Sequence, residues 1–371
     1  MIRLIVALLG LFLVLALAVA GPGDPPPFYR DKSQLMVWID EHGKARPVRS
    51  PSYWAKRRAH ILANMQIAMG PLPEANQRVP LDVQVSEQVV SEKWTRFKLT
   101  YAAEPGDRVP AYLFIPTGAS RKARRPAMLC LHQTTRIGKR EPAGLGGLPN
   151  LPYAKELADR GFVTLAPDYP GYGDYMVTSD GSRPNRPYEM GYVSATMKGI
   201  WNHLRAVDLL AGRPEVNPER LGVIGHSLGG HNSLFVAAFD ERLKVVVSSC
   251  GFNSFPKYYG GVIRPWSHPG YMPRISLFYD ADPQRVPFDF TEVVGALAPR
   301  AFFANAPIGD SNFAVSGVKD CFAAAAPVYR LLGAGDRLVA AHPNVGHDFP
   351  SDVRKQAYEF VEKWIKQGMD A

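Results

Sequence analysis

The stretch Leu221-Gly222-Val223-Ile224-Gly225-His226-Ser227-Leu228-Gly229-Gly230-His231-Asn232-Ser233 decides how this chain is read. An apolar run (Leu221, Val223, Ile224) breaks into glycines, and Leu234, Phe235, Val236, Ala237 and Ala238 then continue as a helix-forming sequence. The pattern predicts a strand, a sharp turn and a helix. In a G-x-S-x-G elbow, a side chain at Gly225 or Gly229 would crowd the neighbouring strand or helix, so the flanking glycines let the chain turn tightly. Ser227 Oγ is then held clear of the sheet, and the amide of Leu228, in the first helical turn, points into the same space. A nucleophile and half of an oxyanion hole would share one turn. A buried serine in a glycine-rich turn has the same local pattern, so the decision rests on the surrounding chain.

Outward from the elbow, short apolar strands alternate with helical segments. The strands are Met128 to Leu131, Phe162 to Ala166, Leu221 to Ile224, Val245 to Val247, Ala301 to Ala304 and Leu338 to Ala341. Their lack of polar alternation suits a parallel sheet covered on both faces. Before them, Val85 to Pro116 has period two, with Phe97, Leu99 and Tyr101 alternating with Lys98 and Thr100, as in antiparallel strands at a sheet edge. Helices are expected at Tyr153 to Arg160, Met190 to Ala211, Leu228 to Phe239 and Ser351 to Met369. An earlier helix has Ser50 as N-cap and Pro51 at its first position, carries Trp54, Ile61, Leu62, Met65 and Ala68 on one face, and stops at Gly70-Pro71. The expected fold is α/β: a mostly parallel sheet with antiparallel N-terminal strands and helices on both faces. One domain spans 50–371, with 251–299 as a long aromatic loop or insert over the active site.

A serine hydroxyl needs a base to take its proton, and the base needs a partner that fixes its tautomer. Such groups collect beyond the carboxyl ends of the strands. After Ala301 to Ala304, the loop Asn305 to Ser311 places Asp310; after Leu338 to Ala341, the loop His342 to Pro350 places His347. Asp320 is the nearest rival acid and His342 the nearest rival base, but His342 falls at the strand end rather than in the loop beyond it. The second oxyanion donor is expected from His132-Gln133-Thr134-Thr135, which lacks the glycine-rich form. Gln133 is the first choice there and Thr134 the alternative. Thr134, Tyr172, His226 and Trp266 are expected to line the substrate pocket, with Tyr258, Tyr259 and Tyr271 as further aromatic candidates.

At the N-terminus, Met1-Ile2-Arg3 is a positive start, Leu4 to Leu17 has no polar side chain, and Ala18-Val19-Ala20 is a small-x-small cleavage pattern. Residues 1–20 therefore read as a secretory signal peptide, with an uncleaved membrane anchor as the alternative. Either way the folded part is expected outside the cytoplasm, secreted or in the periplasm or cell envelope. Residues 21–49, opening with four prolines between Gly21 and Pro27, are expected as a tether. The net charge of +9 collects at Lys56-Arg57-Arg58, Arg121 to Arg125 and Arg136 to Arg140. No nucleic-acid signature accompanies it, so solvated surfaces are expected and nucleic acid is not. Three cysteines are present; Cys130 falls mid-strand, and Cys250 and Cys321 are the pair placed to form a disulfide.

These residues resemble the α/β-hydrolase superfamily and, within it, the dienelactone-hydrolase and acetyl xylan esterase-like secreted bacterial esterases. The resemblance covers about residues 50 to 371. Its carriers are His132-Gln133-Thr134-Thr135 with Gly138-Lys139, Pro167-Asp168-Tyr169-Pro170-Gly171-Tyr172-Gly173, the elbow at Ser227, Ala298-Pro299-Arg300, and Gly346-His347-Asp348-Phe349-Pro350. It implies ester hydrolysis through an acyl-enzyme on a small-molecule or carbohydrate ester, with neither metal nor organic cofactor. Two alternatives are a serine peptidase of the prolyl-oligopeptidase type and a catalytically silent hydrolase fold used for binding.

Overall fold

The apolar runs become strands of one nine-stranded sheet in the computed structural model, which describes residues 25–175 and 186–366. The signal-like segment and the last residues of the final expected helix lie outside the described residues. No helix among the described residues is long and apolar enough to cross a membrane.

The tether is the first correction. Residues 28–49 fold onto the domain: β1 (Val37–Ile39) and β2 (Ala45–Pro47) form an antiparallel hairpin, and Tyr29, Leu35, Trp38 and Val48 are buried. Spaced single apolar residues anchor this segment, a pattern with neither helical nor strand period. Helix α1 (Pro51–Met69) follows as expected, its Ser50 hydroxyl accepting from the Tyr53 amide and Gly70 ending it.

The sheet begins with three antiparallel strands, β3 (Gln84–Val90), β4 (Trp94–Glu104) and β5 (Asp107–Pro116). Six further strands lie parallel to one another: β6 (Arg125–Leu131), β7 (Val163–Pro167), β8 (Val216–His226), β9 (Leu243–Ser249), β10 (Ala301–Asn305) and β11 (Leu338–Ala341). The spatial order is β11-β10-β9-β8-β6-β7-β5-β4-β3. Side chains alternate between two cores, so Leu129, Val223, Val246 and Phe302 face one and Cys130, Ile224, Val247 and Phe303 the other.

Helices α2 (Tyr153–Asp159) and, at the C-terminal end, Ser351–Lys366 cover the second face. The first face is covered by α1 with α3 (Ala195–Gly212), α4 (Leu228–Phe239), α5 (Phe290–Ala296) and α6 (Val315–Leu331); the C-terminal helix is α7. Helix α4 is buried on every side, which explains its all-round apolar sequence. Helix α6 has no counterpart in the sequence reading, since its start carries no side-chain cap and Pro327 lies inside it.

The stretch 251–299 packs into the first core. Phe252, Phe255, Trp266, Met272, Ile275, Val286, Phe288 and Phe290 are all buried, and Asp289 caps α5 in a reciprocal box with Glu292. Two basic runs also turn inward: Arg57 pairs with Glu292 in the interior, Arg58 donates to the carbonyls of Ala296 and Ala238, and Lys139 is fully buried. All three cysteines are buried and free, so Cys250 and Cys321 form no disulfide in this structure; Cys321 sits in the core side of α6.

Candidate active site

The chain runs from β6 to β7 on one side and then crosses to β8 on the other, so the order reverses beyond the carboxyl ends of β6 and β8, where open α/β sheets place their sites. Ser227 stands there, immediately after β8, with φ 52° and ψ −115°. A non-glycine residue in that region is strained, and the surrounding packing has to hold it there. The hold is visible in the glycines. A Cβ on Gly225 would lie 2.2 Å from Gly229 O, one on Gly229 would lie 1.9 Å from Leu131 O, and one on Gly230 would lie 2.8 Å from Gly251 Cα. The first turn of α4 is thus pressed onto the end of β6 and the start of the chain beyond β9. The Ser227 amide donates to Ser249 O at 2.8 Å, closing the turn against β9.

The expected acid and base meet. Loops 306–310 and 341–345 run side by side, with Ala306, Ile308 and Gly309 donating backbone hydrogen bonds to Ala341, Pro343 and Val345. His347 Nδ1 lies 3.0 Å from each carboxylate oxygen of Asp310. Burial alone would raise the Asp310 carboxyl, but hydrogen bonding and charge from His347, with the amides of Asn312 and Phe313, hold it below the usual carboxylate range. An Asp310 carboxylate accepting from Nδ1–H leaves Nε2 of His347 as the free ring nitrogen, and the His347 side chain is 21% exposed. The rivals are elsewhere: Asp320 sits in α6, within reach of Ser254 Oγ, and His342 Nδ1 lies against Ala306 O.

The loop after β6 is held by side chains where a glycine-rich loop would rely on its backbone. His132 Nε2 accepts from the Tyr169 amide at 2.9 Å, so the proton is on Nδ1, which donates to Gln133 O at 2.6 Å. Gln133 Nε2 donates to Glu141. At the far end the Lys139 amide and Nζ both donate to Asp168, at 2.7 and 2.6 Å, with both side chains fully buried. Gly138 and Gly173 fit against that carboxylate, where a Cβ on either would come within 2.1 Å of Asp168 Oδ1. Among the described residues the amides of Leu228, Gln133 and Thr134 have no acceptor, so Gln133 and Thr134 both stay available as donors opposite Leu228.

Of the expected pocket residues, Thr134 and Tyr172 come together, the Thr134 hydroxyl also lying 3.5 Å from Tyr271 Oη. Trp266 is 4% exposed and belongs to a chain of rings from Tyr271 through Trp266 and Phe313 to His347. His226 is corrected: it is fully buried and packs against His347, ring centroids 4.9 Å apart, and so does not line an open pocket. Sequence reading missed Phe313, which carries no local signal. It also missed the polar set beneath the base, Ser249, Cys250 and Asn305, which strand alternation alone could have aimed at the site.

Residues 143–362 match the alpha/beta hydrolase family. The chain is 25% identical over 303 residues to the "Putative hydrolase YtaP" of Bacillus subtilis (strain 168), covering 80% of this chain and 96% of that protein. A glucuronoyl esterase from Solibacter usitatus has a similar structure, with a TM-score of 0.66 at 19% identity, over 91% of this chain and 98% of that one. The "putative acetyl xylan esterase (BF1801)" of Bacteroides fragilis NCTC 9343 aligns with a TM-score of 0.60 at 18% identity, over 90% and 81% of the two chains. With more than half of its length matched and the sheet order in place, the chain belongs to the α/β-hydrolase family.

Proposed function

We propose that the chain is a serine carboxylesterase in which Ser227, His347 and Asp310 act as nucleophile, general base and orienting acid. The reading is carried by a strained, positive-φ serine immediately after β8, together with a histidine whose Nδ1 is bound by a buried carboxylate. Held through Nδ1, His347 keeps Nε2 unprotonated and free to take the Ser227 proton as Oγ attacks the ester carbonyl. The tetrahedral oxyanion is then received by the Leu228 amide and an amide of the 133–134 pair. His347 returns the proton to the leaving alcohol, and a water activated the same way releases the acid from the acyl-enzyme. Every proton and bond in this cycle is supplied by chain, substrate and water. An acylated carbohydrate is the proposed substrate class, supported by the putative acetyl xylan esterase among the structural neighbours; the glucuronoyl esterase supports a carbohydrate ester more broadly. Action outside the cytoplasm is proposed from residues 1–20 alone.

Purified Ser227→Ala protein is expected to lose at least about a thousandfold in kcat on a short-chain aryl ester and to lose labelling by a fluorophosphonate. Wild-type rates from that variant would end the reading. A panel of acetylated sugars against simple alkyl esters tests the substrate class.

A further inference from the structure

His226 packs directly against the ring of His347 yet has no part in the proposed cycle, and its surroundings bear on which nitrogen carries its proton. The carbonyl oxygen of Asp348 can only accept, and Asn305 Nδ2 lies 2.8 Å from it, which orients the Asn305 amide. The same Nδ2 lies 2.8 Å from Ser249 Oγ, so each of its hydrogens has one acceptor and Ser249 Oγ receives the second. The Ser249 hydroxyl hydrogen is then free to be donated, and His226 Nδ1 is 2.8 Å away against 3.9 Å for Cys250 Sγ. The shorter distance favours Nδ1 as the acceptor, which puts the His226 proton on Nε2. That Nε2–H is buried and has no hydrogen-bond acceptor among the described residues. The neighbouring ring is His347, 4.9 Å away and inclined at 61°.

An N–H next to the π face of a neutral imidazole is weakly attracted to it. An N–H so placed would face a positive charge once that imidazole is protonated. Building on the esterase reading, we propose that His226 is a positioning residue that presents Nε2–H to His347, holding the ring of the base and disfavouring its protonated form. The relay Asn305, Ser249, His226 sets the direction of that dipole. Asn305 and Cys250 Sγ also reach the backbone carbonyl of Asp348, so one network holds both the loop that carries His347 and the ring beside it.

Other groups facing the base do not duplicate this effect. Asp310 binds the ring at Nδ1, and the Asp348 carboxylate is bound by Asn150 Nδ2 at 2.7 Å. Burial pushes the Cys250 thiol up, so it is uncharged. His226 itself, pushed down to about 3 first by burial and then by the charge of His347, remains neutral throughout an assay range.

The test is the acid limb of the kcat/KM profile on an aryl acetate. His226→Phe keeps ring area and deletes the N–H, and Ser249→Ala frees the His226 proton to move to Nδ1, turning a lone pair toward His347. In both, the acid-limb pKa is expected to rise by about half a unit to one unit, with plateau rates within about tenfold of wild type. A merely structural role would lower the plateau without moving the limb. A limb that stays at the wild-type position in either folded variant overturns the proposal. Nitrogen-15 NMR of the His226 ring in the wild-type chain is independent of both variants: the Nε2–H tautomer is expected and Nδ1–H would overturn it. Ser227→Ala separates the two readings, because an active Ser227→Ala protein removes the esterase assignment itself, whereas an inactive one with unmoved limbs removes only the role of His226.

Discussion

Gly229→Ala is a small change at the place where the two halves of the proposed oxyanion hole touch. Ordinarily, alanine in a helix gains about 1 kcal/mol over glycine. At Gly229 the new Cβ would lie 1.9 Å from Leu131 O, 2.5 Å from Leu131 C and 2.9 Å from His132 O, all backbone atoms that cannot rotate away. Real Cβ contacts stay beyond 3.0 Å, so the first turn of α4 and the end of β6 must separate by about 1 Å. The Leu228 amide rides on one side of that contact and the 133–134 amides on the other. Overpacking of this kind costs about 1–3 kcal/mol, so much of the loss is offset by helix propensity and the protein is expected to fold. Catalysis has no such offset. Displacing one oxyanion donor, or misplacing the site by about 1 Å, costs about a hundredfold to a thousandfold in kcat. Steady-state kinetics on an aryl acetate should show that loss with KM changed less than about threefold, while a urea midpoint confirms folding. Gly212→Ala is the control, since it is also helical but its Cβ would meet nothing within 4 Å. A Gly229→Ala enzyme with kcat within threefold of wild type would refute the placement of the hole.

Two further outcomes concern buried charge. Lys139→Met would leave the Asp168 carboxylate buried with only amide donors, from Lys139 and Asp174, and is expected to cost about 3–5 kcal/mol in urea unfolding; an unchanged midpoint would show that the pair is not load-carrying in the folded state. Burial pushes Asp289 up to about 7, so the folded chain holds a proton there that the unfolded chain releases near pH 4. Stability from this group is therefore greatest below about pH 4 and declines as pH rises towards 7. Asp289→Asn, which keeps an oxygen for the amides of Phe255 and Phe290, should remove that decline and gain up to about 4 kcal/mol at pH 8 in urea titrations, and parallel pH profiles for the two proteins would disprove it.

The strand–turn–helix at Ser227, the antiparallel edge and the meeting of Asp310 with His347 were legible because each depends on a local pattern. Glycine marks close approach, period two marks a half-covered strand, and an open α/β sheet delivers its functional loops to one edge. Asp310 and His347 could be named from where their strands end, without knowing how the strands are ordered in space. Burial of charge was not legible. Arg57, Arg58 and Lys139 sit in basic runs that read as solvated surface, and only tertiary partners such as Glu292 and Asp168 reveal otherwise. Helix α6 lacked a cap and contained Pro327, so its existence rests on packing of Val318, Cys321, Ala325 and Val328 rather than on local preference. The segment 28–49 follows the same logic, its four buried apolar residues being too widely spaced to announce a strand.

The departure of the loop 132–135 from a glycine-rich sequence is best understood through the dipeptide Asp168-Tyr169. The Tyr169 amide binds His132 at the start of that loop, and the Asp168 carboxylate binds Lys139 at its end, so one short stretch after β7 clamps both ends. A glycine-rich loop can bring its amides close to an oxyanion because nothing projects from it. Here the backbone is instead fixed by its own side chains: His132 turns the Gln133 carbonyl back onto its ring, Gln133 is tied to Glu141, and Asp168 anchors the turn beyond. In a planar trans peptide the N–H lies opposite the C=O, so fixing the Gln133 carbonyl also fixes the direction of the Thr134 amide. Rigidity that other loops draw from backbone packing is supplied here by three residue pairs between positions 132 and 169. That is why motif matching finds the loop wanting while its amides are still left without acceptors, as an oxyanion site requires.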